Sequence, residues 1–218
     1  MKFWAIDSPV MRVLGRLGDI IILNMIFVVG CIPVITIGTS LSALYAVAMK
    51  MARGEDPSVW KEFWKAYKRN FRPATICWLV MAVIAILLFV DFRIIGVLKR
   101  GSESMYSIMR IVLAVILGMW MLMFQYLFPY IARFENTVKI TLKNAILMEL
   151  RHLPWSLLII ILLLLAIFLT WLIPIFVFLM PACIVLIFDL ILERIFRMYM
   201  SPEDLANEKE KDMLDKMD

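Results

Sequence analysis

Few residues of this chain have the types and the spacing that chemistry needs. The single histidine, His152, stands just before Pro154, with no serine or cysteine at the spacing of a known nucleophile motif. The three cysteines, Cys31, Cys77 and Cys183, lie far apart within apolar segments, so neither a disulfide framework nor a zinc site is indicated. The chain has no phosphate-binding loop and no dinucleotide fingerprint. We therefore predict no catalytic residue, no metal site, no cofactor and no enzymatic activity.

Ionisable side chains inside membrane spans would be functional candidates by default. Asp91, Arg110 and Asp189 each stand near the end of an apolar run, where their charges can reach the interface. The deeper polar residues are Asn24 and Gln125, and such amides more often form hydrogen bonds between helices than bind a substrate. The pattern favours helix packing over a proton or ion relay.

The composition indicates an integral membrane protein. The 218 residues are 63% hydrophobic with a mean hydropathy of +0.89, whereas soluble domains are roughly 45 to 50% apolar. The net charge of +5 comes largely from short segments beside apolar runs, so it does not indicate nucleic acid as a partner. We predict one transmembrane helical domain over residues 1–200, in the lipid bilayer, and a polar tail over residues 201–218.

The longest apolar run, residues 18–50, has no charge between Asp19 and Lys50. A straight helix of this length would measure roughly 50 Å, against a hydrocarbon core of roughly 30 Å. The run must therefore bend, re-enter or tilt. Glycine, proline and small polar residues mark a polar break that is also the first candidate site: Asn24, Gly30, Pro33, Thr36, Gly38, Thr39 and Ser40.

The rest of the chain alternates amphipathic stretches with apolar spans. We expect about five transmembrane helices: the broken opening run, then residues 74–90, 105–131, 154–170 and 175–192. Residues 1–17 have the pattern of a short amphipathic segment that lies at the membrane interface, which we call the interfacial lead-in. Residues 57–72 and 133–152 read as two amphipathic helices on the cytoplasmic side. The predicted fold is an all-α polytopic membrane bundle.

The first amphipathic stretch has an aromatic stripe flanked by a basic one. This spacing predicts a helix that lies on an anionic leaflet or docks a cytoplasmic partner. Aromatic and basic residues also alternate in proteins that bind single-stranded nucleic acid, but this stretch directly abuts a membrane span. The candidate face consists of Trp60, Lys61, Phe63, Trp64, Lys65, Tyr67, Lys68 and Arg72.

The distribution of lysine and arginine predicts the orientation. With five spans, 16 of the 23 basic residues fall on the side of the amphipathic stretches and the tail, and 7 on the other. Cytoplasmic loops hold the excess of positive charge, so we predict a multi-pass protein of the cell membrane with a cytoplasmic C-terminus. If the opening run is instead re-entrant, the N-terminus joins that side and the division becomes 19 against 4.

Several segments together resemble the YesL family of small bacterial membrane proteins, a family of unknown function. They are GDIIILN, CIPVITIGTSLSALYAV, RGEDPSVWKEFWKAYKRNFRPAT and KNAILMELRHLPWSLL, within residues 15–195. The resemblance implies a polytopic protein often encoded beside carbohydrate-uptake and polysaccharide-degradation genes, and it implies no established activity.

Two functions are compatible with these features. The first is a non-enzymatic accessory subunit that docks carbohydrate transporter subunits through the amphipathic stretches. The second is a small solute permease whose path is lined by the broken first span, since transporters expose backbone polar groups at broken helices. The scarcity of polar residues within the spans favours the accessory subunit.

Overall fold

The structure is a computed structural model, and it describes residues 9–97, 103–173, 180–200, 202–203 and 206. These residues form seven α-helices and one short 3₁₀ turn, with no β-strand among them, so the predicted all-α class is confirmed. The helices are α1 (Pro9–Cys31), α2 (Ile37–Ala52), α3 (Val59–Val97), α4 (Glu103–Arg133), α5 (Val138–Arg151), α6 (Leu153–Leu172) and α7 (Met180–Arg197). The 3₁₀ turn, Val34–Thr36, stands between α1 and α2.

Five segments of the described chain are long and apolar enough to cross a membrane. The number equals the predicted one, but the opening run supplies two of the five, and the predicted span over residues 175–192 is not among them. Their outward faces remain apolar: Ile161, Leu164 and Phe168 on α6 are all more than half exposed. Such a surface fits lipid rather than water, and the chain is a multi-pass membrane protein. The segments are Leu14–Cys31, Val34–Ala52, Val59–Ile95, Tyr106–Arg133 and Leu153–Leu172.

The fifth predicted span, residues 175–192, is described only from Met180, as α7. Four charged side chains stand within the 18 residues of this helix. Among the described residues, α7 is accordingly not one of the five candidate spans. The predicted tail, residues 201–218, and Trp4 of the predicted lead-in lie almost wholly outside the described residues, so the division at residue 200 stays a prediction.

The opening run folds as two helices, not as one broken span. α1 has 23 residues and α2 has 16, and residues 32–36 separate them. The predicted interfacial lead-in is not separate either, because from Pro9 onward it is the beginning of α1. Each arm of the hairpin considered from the sequence had only about 13 residues, and the lead-in supplies the missing length to the first arm.

The first amphipathic stretch is likewise not a separate interfacial helix. α3 runs for 39 residues from Val59 through Pro73 to Val97. A proline inside a helix removes one backbone hydrogen bond, but helices in membranes tolerate it where neighbouring helices and side chains compensate. The change from basic to apolar residues near Pro73 therefore marks a change of surroundings along one helix. The second stretch does form a helix of its own, α5.

Helix α2 lies at the centre of the bundle and contacts α1, α3, α4 and α7. Ten of its 16 residues are buried, and most of those are small or hydroxylated. Helices in lipid approach each other closely where such residues meet, because packing and hydrogen bonds replace the hydrophobic effect between them. The most polar part of the opening run thus becomes the core of the protein.

Candidate functional site

The polar break between α1 and α2 is held by its own hydrogen bonds. The Thr36 hydroxyl lies 2.9 Å from the carbonyl oxygen of Gly30 and 2.8 Å from that of Pro33, and it donates to them. The Trp78 indole on α3 donates to the carbonyl of Val34 at 2.9 Å. Backbone groups freed where α1 ends therefore find partners inside the protein, as a membrane requires.

The remaining hydroxyls of the break connect α2 to α3. Thr39 and Thr75 share a hydrogen bond of 2.9 Å, and the Asn70 amide donates to the Ser42 hydroxyl at 2.8 Å. The hydroxyl oxygen of Ser40 is buried without a hydrogen-bond partner among the described residues. These side chains hold helices together, which is one of the two functions that the sequence left open for them.

Both glycines of the break lie where helices approach closely. A Cβ atom placed on Gly38 would lie 2.6 Å from Cβ of Trp78 and 2.8 Å from the carbonyl oxygen of Ala74. A Cβ atom on Gly30 would collide with the side chain of Ser40. Of the seven predicted break residues, Pro33 alone is exposed, and the structure brings the other six into the helix packing.

The candidate face on α3 divides into a buried half and an exposed half. Phe63 is fully buried, and Trp64 and Tyr67 are half-buried, in edge-to-face or stacked contact with one another. The aromatic stripe therefore packs largely inward and contributes little to a lipid or partner contact. The exposed half is a row that we call the basic row: Lys61, Lys65, Lys68 and Arg72, with Trp60 beside it.

At one end of the bundle, three guanidinium groups surround a single carboxylate. Oε1 of Glu193 on α7 lies 3.1 Å from Arg133 at the end of α4, 3.1 Å from Arg197, and 4.0 Å from Arg53 after α2. Glu193 and Arg197 are four residues apart, on one face of α7, which is the spacing at which opposite charges pair along a helix. Arg53 also binds Glu55 at 2.7 Å. The C-terminal ends of α2, α4 and α7 are thereby joined.

Next to this group opens a cavity of about 580 Å³ between the ends of α2 and α4 and the first half of α3. We call it the charged cavity. Its charged lining comprises five cations, Lys50, Arg53, Lys65, Arg69 and Arg133, and two carboxylates, Glu62 and Glu135. Lys50 pairs with Glu62 at 3.1 Å, and Arg69 lies 3.7 Å from Glu135. Ligand-binding cavities are typically about 300–1,000 Å³.

A second group of ionisable side chains lies where α5 meets α6. Glu149 is buried, its Oε1 has no hydrogen-bond partner among the described residues, and burial raises its pKa to about 7. One turn later, His152 shares a hydrogen bond of 3.0 Å with Tyr199. Burial, and then the charge of Arg151, lower the pKa of His152. The only histidine thus joins the α5–α6 elbow to the segment after α7.

A further cavity of about 580 Å³, almost entirely apolar, lies between α1, α2, α4, α6 and α7. Its polar lining includes Gln125, whose Oε1 is buried without a hydrogen-bond partner among the described residues, and Thr170, which donates to its own helix at Ala166. No three His, Cys, Asp or Glu side chains in the described part of the chain are grouped as a metal ion would require.

Comparison with known proteins identifies a family without an assigned function. Residues 20–92 match the family model described as "Protein of unknown function, DUF624". This match covers α1 from Ile20, all of α2 and most of α3, so it includes the break and the basic row. The chain is similar to this family, and the match supports the predicted resemblance to a family of unknown function. The assignment to YesL in particular stays a prediction.

One curated relative is the uncharacterized protein YteU of Bacillus subtilis (strain 168). It is 26% identical over 117 residues, which are 53% of this chain and 51% of YteU. The chain thus spans about half the length of this relative. No solved structure matches the chain.

The charged cavity is not evident from the sequence. The pattern places Lys65 on the face of a surface helix and does not relate that face to Arg53. Arg69, Arg133 and Glu193 come from three different helices, and no spacing within one segment relates them. A usable signal was present in the basic count, because seven lysines and arginines stand within residues 50–72.

Proposed function

We propose that this protein is a membrane subunit without catalytic activity of its own, and that it assists a carbohydrate-uptake complex. The resemblance to YesL supports the carbohydrate part of the proposal. The expectation that it is not an enzyme rests on the sequence, where no nucleophile, base and orienting group stand at a recognisable spacing.

One observation supports an accessory role over a transport path: the polar residues of the break are used in helix packing. Thr36 bonds to the chain that precedes it, Thr39 to Thr75, and Ser42 to Asn70. A permease would need such groups to face a solute, and buried groups already paired would have to exchange partners. The exposed polar surface lies instead at the end of the bundle and on the basic row.

The basic row suits a partner contact. Lys61, Lys65, Lys68 and Arg72 recur at helical spacing on one exposed face of α3, so they can meet an acidic surface together. Contact through such a face would require no rearrangement of the buried aromatic side chains beneath it.

Co-purification in mild detergent tests this proposal. The full chain would be isolated from cells grown on the relevant polysaccharide, and transporter subunits would be identified by mass spectrometry. The triple variant Lys61→Glu, Lys68→Glu, Arg72→Glu reverses the charge at three of the four positions of the basic row, and it should no longer co-purify with those subunits. Arg93→Glu reverses one exposed charge near the other end of the same helix and should retain them, whereas Lys68→Glu, the matched single reversal within the row, should weaken their recovery. Repeated absence of transporter subunits from the unaltered protein would contradict the proposal.

The second candidate, a small solute permease, is favoured by the apolar cavity between α1, α2, α4, α6 and α7. A space inside the bundle is what a solute path would need. Its scarcity of polar lining groups makes it a poor match for a sugar. Reconstitution into liposomes with a panel of sugars and ions tests this alternative, and uptake no faster than in empty liposomes would exclude it.

A further inference from the structure

The charged cavity has more positive than negative charge. Five cations and two carboxylates line it, and three further charged groups, Glu55, Glu193 and Arg197, stand directly behind its wall. Together these are six cations against four carboxylates, or against five when Asp189, which is buried within electrostatic reach of Arg53 and Glu193, is counted, so the excess is one or two positive charges. A concave site with one sign of excess charge concentrates counter-ions of the opposite sign. The cavity is therefore suited to an anion.

The cations of this cavity divide into a fixed group and an available group. Arg53 and Arg133 are each only about 10% exposed and are held by carboxylates at 2.7 Å and 3.1 Å. Lys65 is exposed and makes no ion pair with any described residue. Arg69 is about half exposed, and its contact with the largely exposed Glu135 is loose at 3.7 Å. It also donates two long hydrogen bonds of 3.3 Å, to the side chain of Asn70 and to the carbonyl oxygen of Ala132. Lys65 can therefore turn toward a ligand at little cost, and Arg69 can do so by exchanging these long contacts for a shorter, charge-assisted one.

The position of the cavity indicates what kind of anion could reach it. Its walls are the last residues of two candidate spans, Val34–Ala52 and Tyr106–Arg133, so it lies where the apolar part of the bundle ends. Lipid headgroups lie at this depth. Guanidinium groups bind phosphate oxygens through paired, charge-assisted hydrogen bonds, and lysine adds a mobile charge.

We propose that the charged cavity binds a phosphate-bearing anion, with Lys65 and Arg69 as its direct contacts and with Arg53 and Arg133 as a fixed positive background. The phosphate can belong to an anionic lipid headgroup or to a soluble molecule. The proposal does not rest on the accessory role. Lys65 belongs to both the basic row and the cavity, but Arg69, Arg53 and Arg133 belong to the cavity alone.

The test uses the full chain in a neutral detergent with two probes, inorganic phosphate and phosphatidylglycerol. Phosphatidylcholine, which is zwitterionic and has no net charge, is the reference lipid. Binding is followed by thermophoresis and by the rise in unfolding temperature. The double variant Lys65→Gln, Arg69→Gln removes the two contacts. The double variant Lys61→Gln, Lys68→Gln removes the same number of charges from exposed positions on the same helix outside the cavity.

The cavity variant should bind at least about tenfold more weakly, and the control variant should stay within about twofold of the unaltered protein. A response to phosphatidylglycerol alone identifies the lipid headgroup as the source, and a response to inorganic phosphate identifies a soluble one. Both outcomes support the site. Equal losses in the two variants would show general surface attraction and overturn the proposal, as would no loss in either. Lys65→Arg keeps the charge and should retain binding. An unchanged unfolding temperature of the Lys65→Gln, Arg69→Gln variant without a probe excludes misfolding as the cause of its loss.

Discussion

The side chain of Asn24 on α1 accepts a hydrogen bond of 2.9 Å from the backbone amide of Ala182, the third residue of α7. The first amides of a helix have no partner within that helix, and here the partner lies 158 residues away in the chain. An asparagine in the middle of an apolar run therefore serves as the cap of another helix.

Replacing Asn24 by leucine should destabilise the protein by about 1 kcal/mol, since the amide of Ala182 would be left buried and unpaired. Thermal unfolding in detergent measures the change. Met25→Leu is the control, because the neighbouring Met25 is about half exposed. Equal unfolding temperatures for the two variants would show that this hydrogen bond is not important for stability.

Gly38→Ala should destabilise the bundle by about 1–3 kcal/mol, because the added methyl group would lie within 2.8 Å of Trp78, Phe128 and the backbone of Ala74. Gly118→Ala on α4 has nothing within 4 Å of the added atom and should be neutral or slightly stabilising. The same detergent unfolding assay compares the two variants. A stable Gly38→Ala protein would contradict the close packing of α2 against α3 and α4.

Arg133 and Arg197 contact the same oxygen of Glu193 at the same distance, 3.1 Å, yet their side chains are 11% and 52% exposed. Arg133→Gln should therefore cost about 3 kcal/mol, since it leaves a buried carboxylate short of charge. Arg197→Gln should cost less than about 1 kcal/mol, because water screens the exposed pair. Similar losses of stability for the two substitutions would mean that the burial of each arginine does not determine how much its ion pair with Glu193 contributes.

Stability should depend on pH through Glu149. Its pKa is raised from 4.5 in the unfolded chain to about 7 in the folded one, so the folded state holds this proton more tightly. The contribution of protonated Glu149 to the stability of the folded state is complete below about pH 4.5, and it is lost as the pH rises through about 7. Glu149→Gln should remove that loss and raise the unfolding temperature above pH 7 relative to the unaltered protein.

Unfolding measured from pH 5 to pH 8 checks this. Nearby titratable groups are Tyr126 on α4, Tyr199 after α7 and His152. The lowered pKa of His152 acts in the opposite sense, because its protonation disfavours the folded state. His152 is present in both the unaltered protein and the Glu149→Gln variant, so the difference between their pH profiles reports the effect of Glu149 alone. Parallel pH profiles would contradict the assignment.

The separate helices α1 and α2 change the expected topology. If both cross the membrane, the N-terminus lies on the same side as residues 53–58. Glu193 holds the end of α7 against Arg53 and Arg133 on that side, so the basic residues divide 19 against 4. A cysteine placed at Ala5 should then be protected in sealed cells from an impermeant thiol reagent and should react after lysis. Labelling in intact cells would contradict this topology and would favour a single crossing by residues 18–50, as the sequence predicts.

The class of fold could be predicted from the sequence, because apolar composition and span length are properties of each segment by itself. The sequence placed the break at the glycine and proline residues around Pro33, where α1 ends and the 3₁₀ turn follows, since this signal is local. It divided α3 at Pro73 because the composition changes there, although a helix can continue from the interface into lipid. Only packing could show that Phe63 faces inward while Lys65 does not.

The sequence by itself determined that this is a multi-pass helical membrane protein and that its polar residues are few enough to matter individually. The tertiary structure alone decided which of them meet. Asn24 reaches Ala182, and Arg53, Arg133 and Glu193 come together from the ends of three helices. Hydropathy and periodicity describe one helix at a time, whereas hydrogen bonds and charge pairs between distant segments depend on how the helices pack.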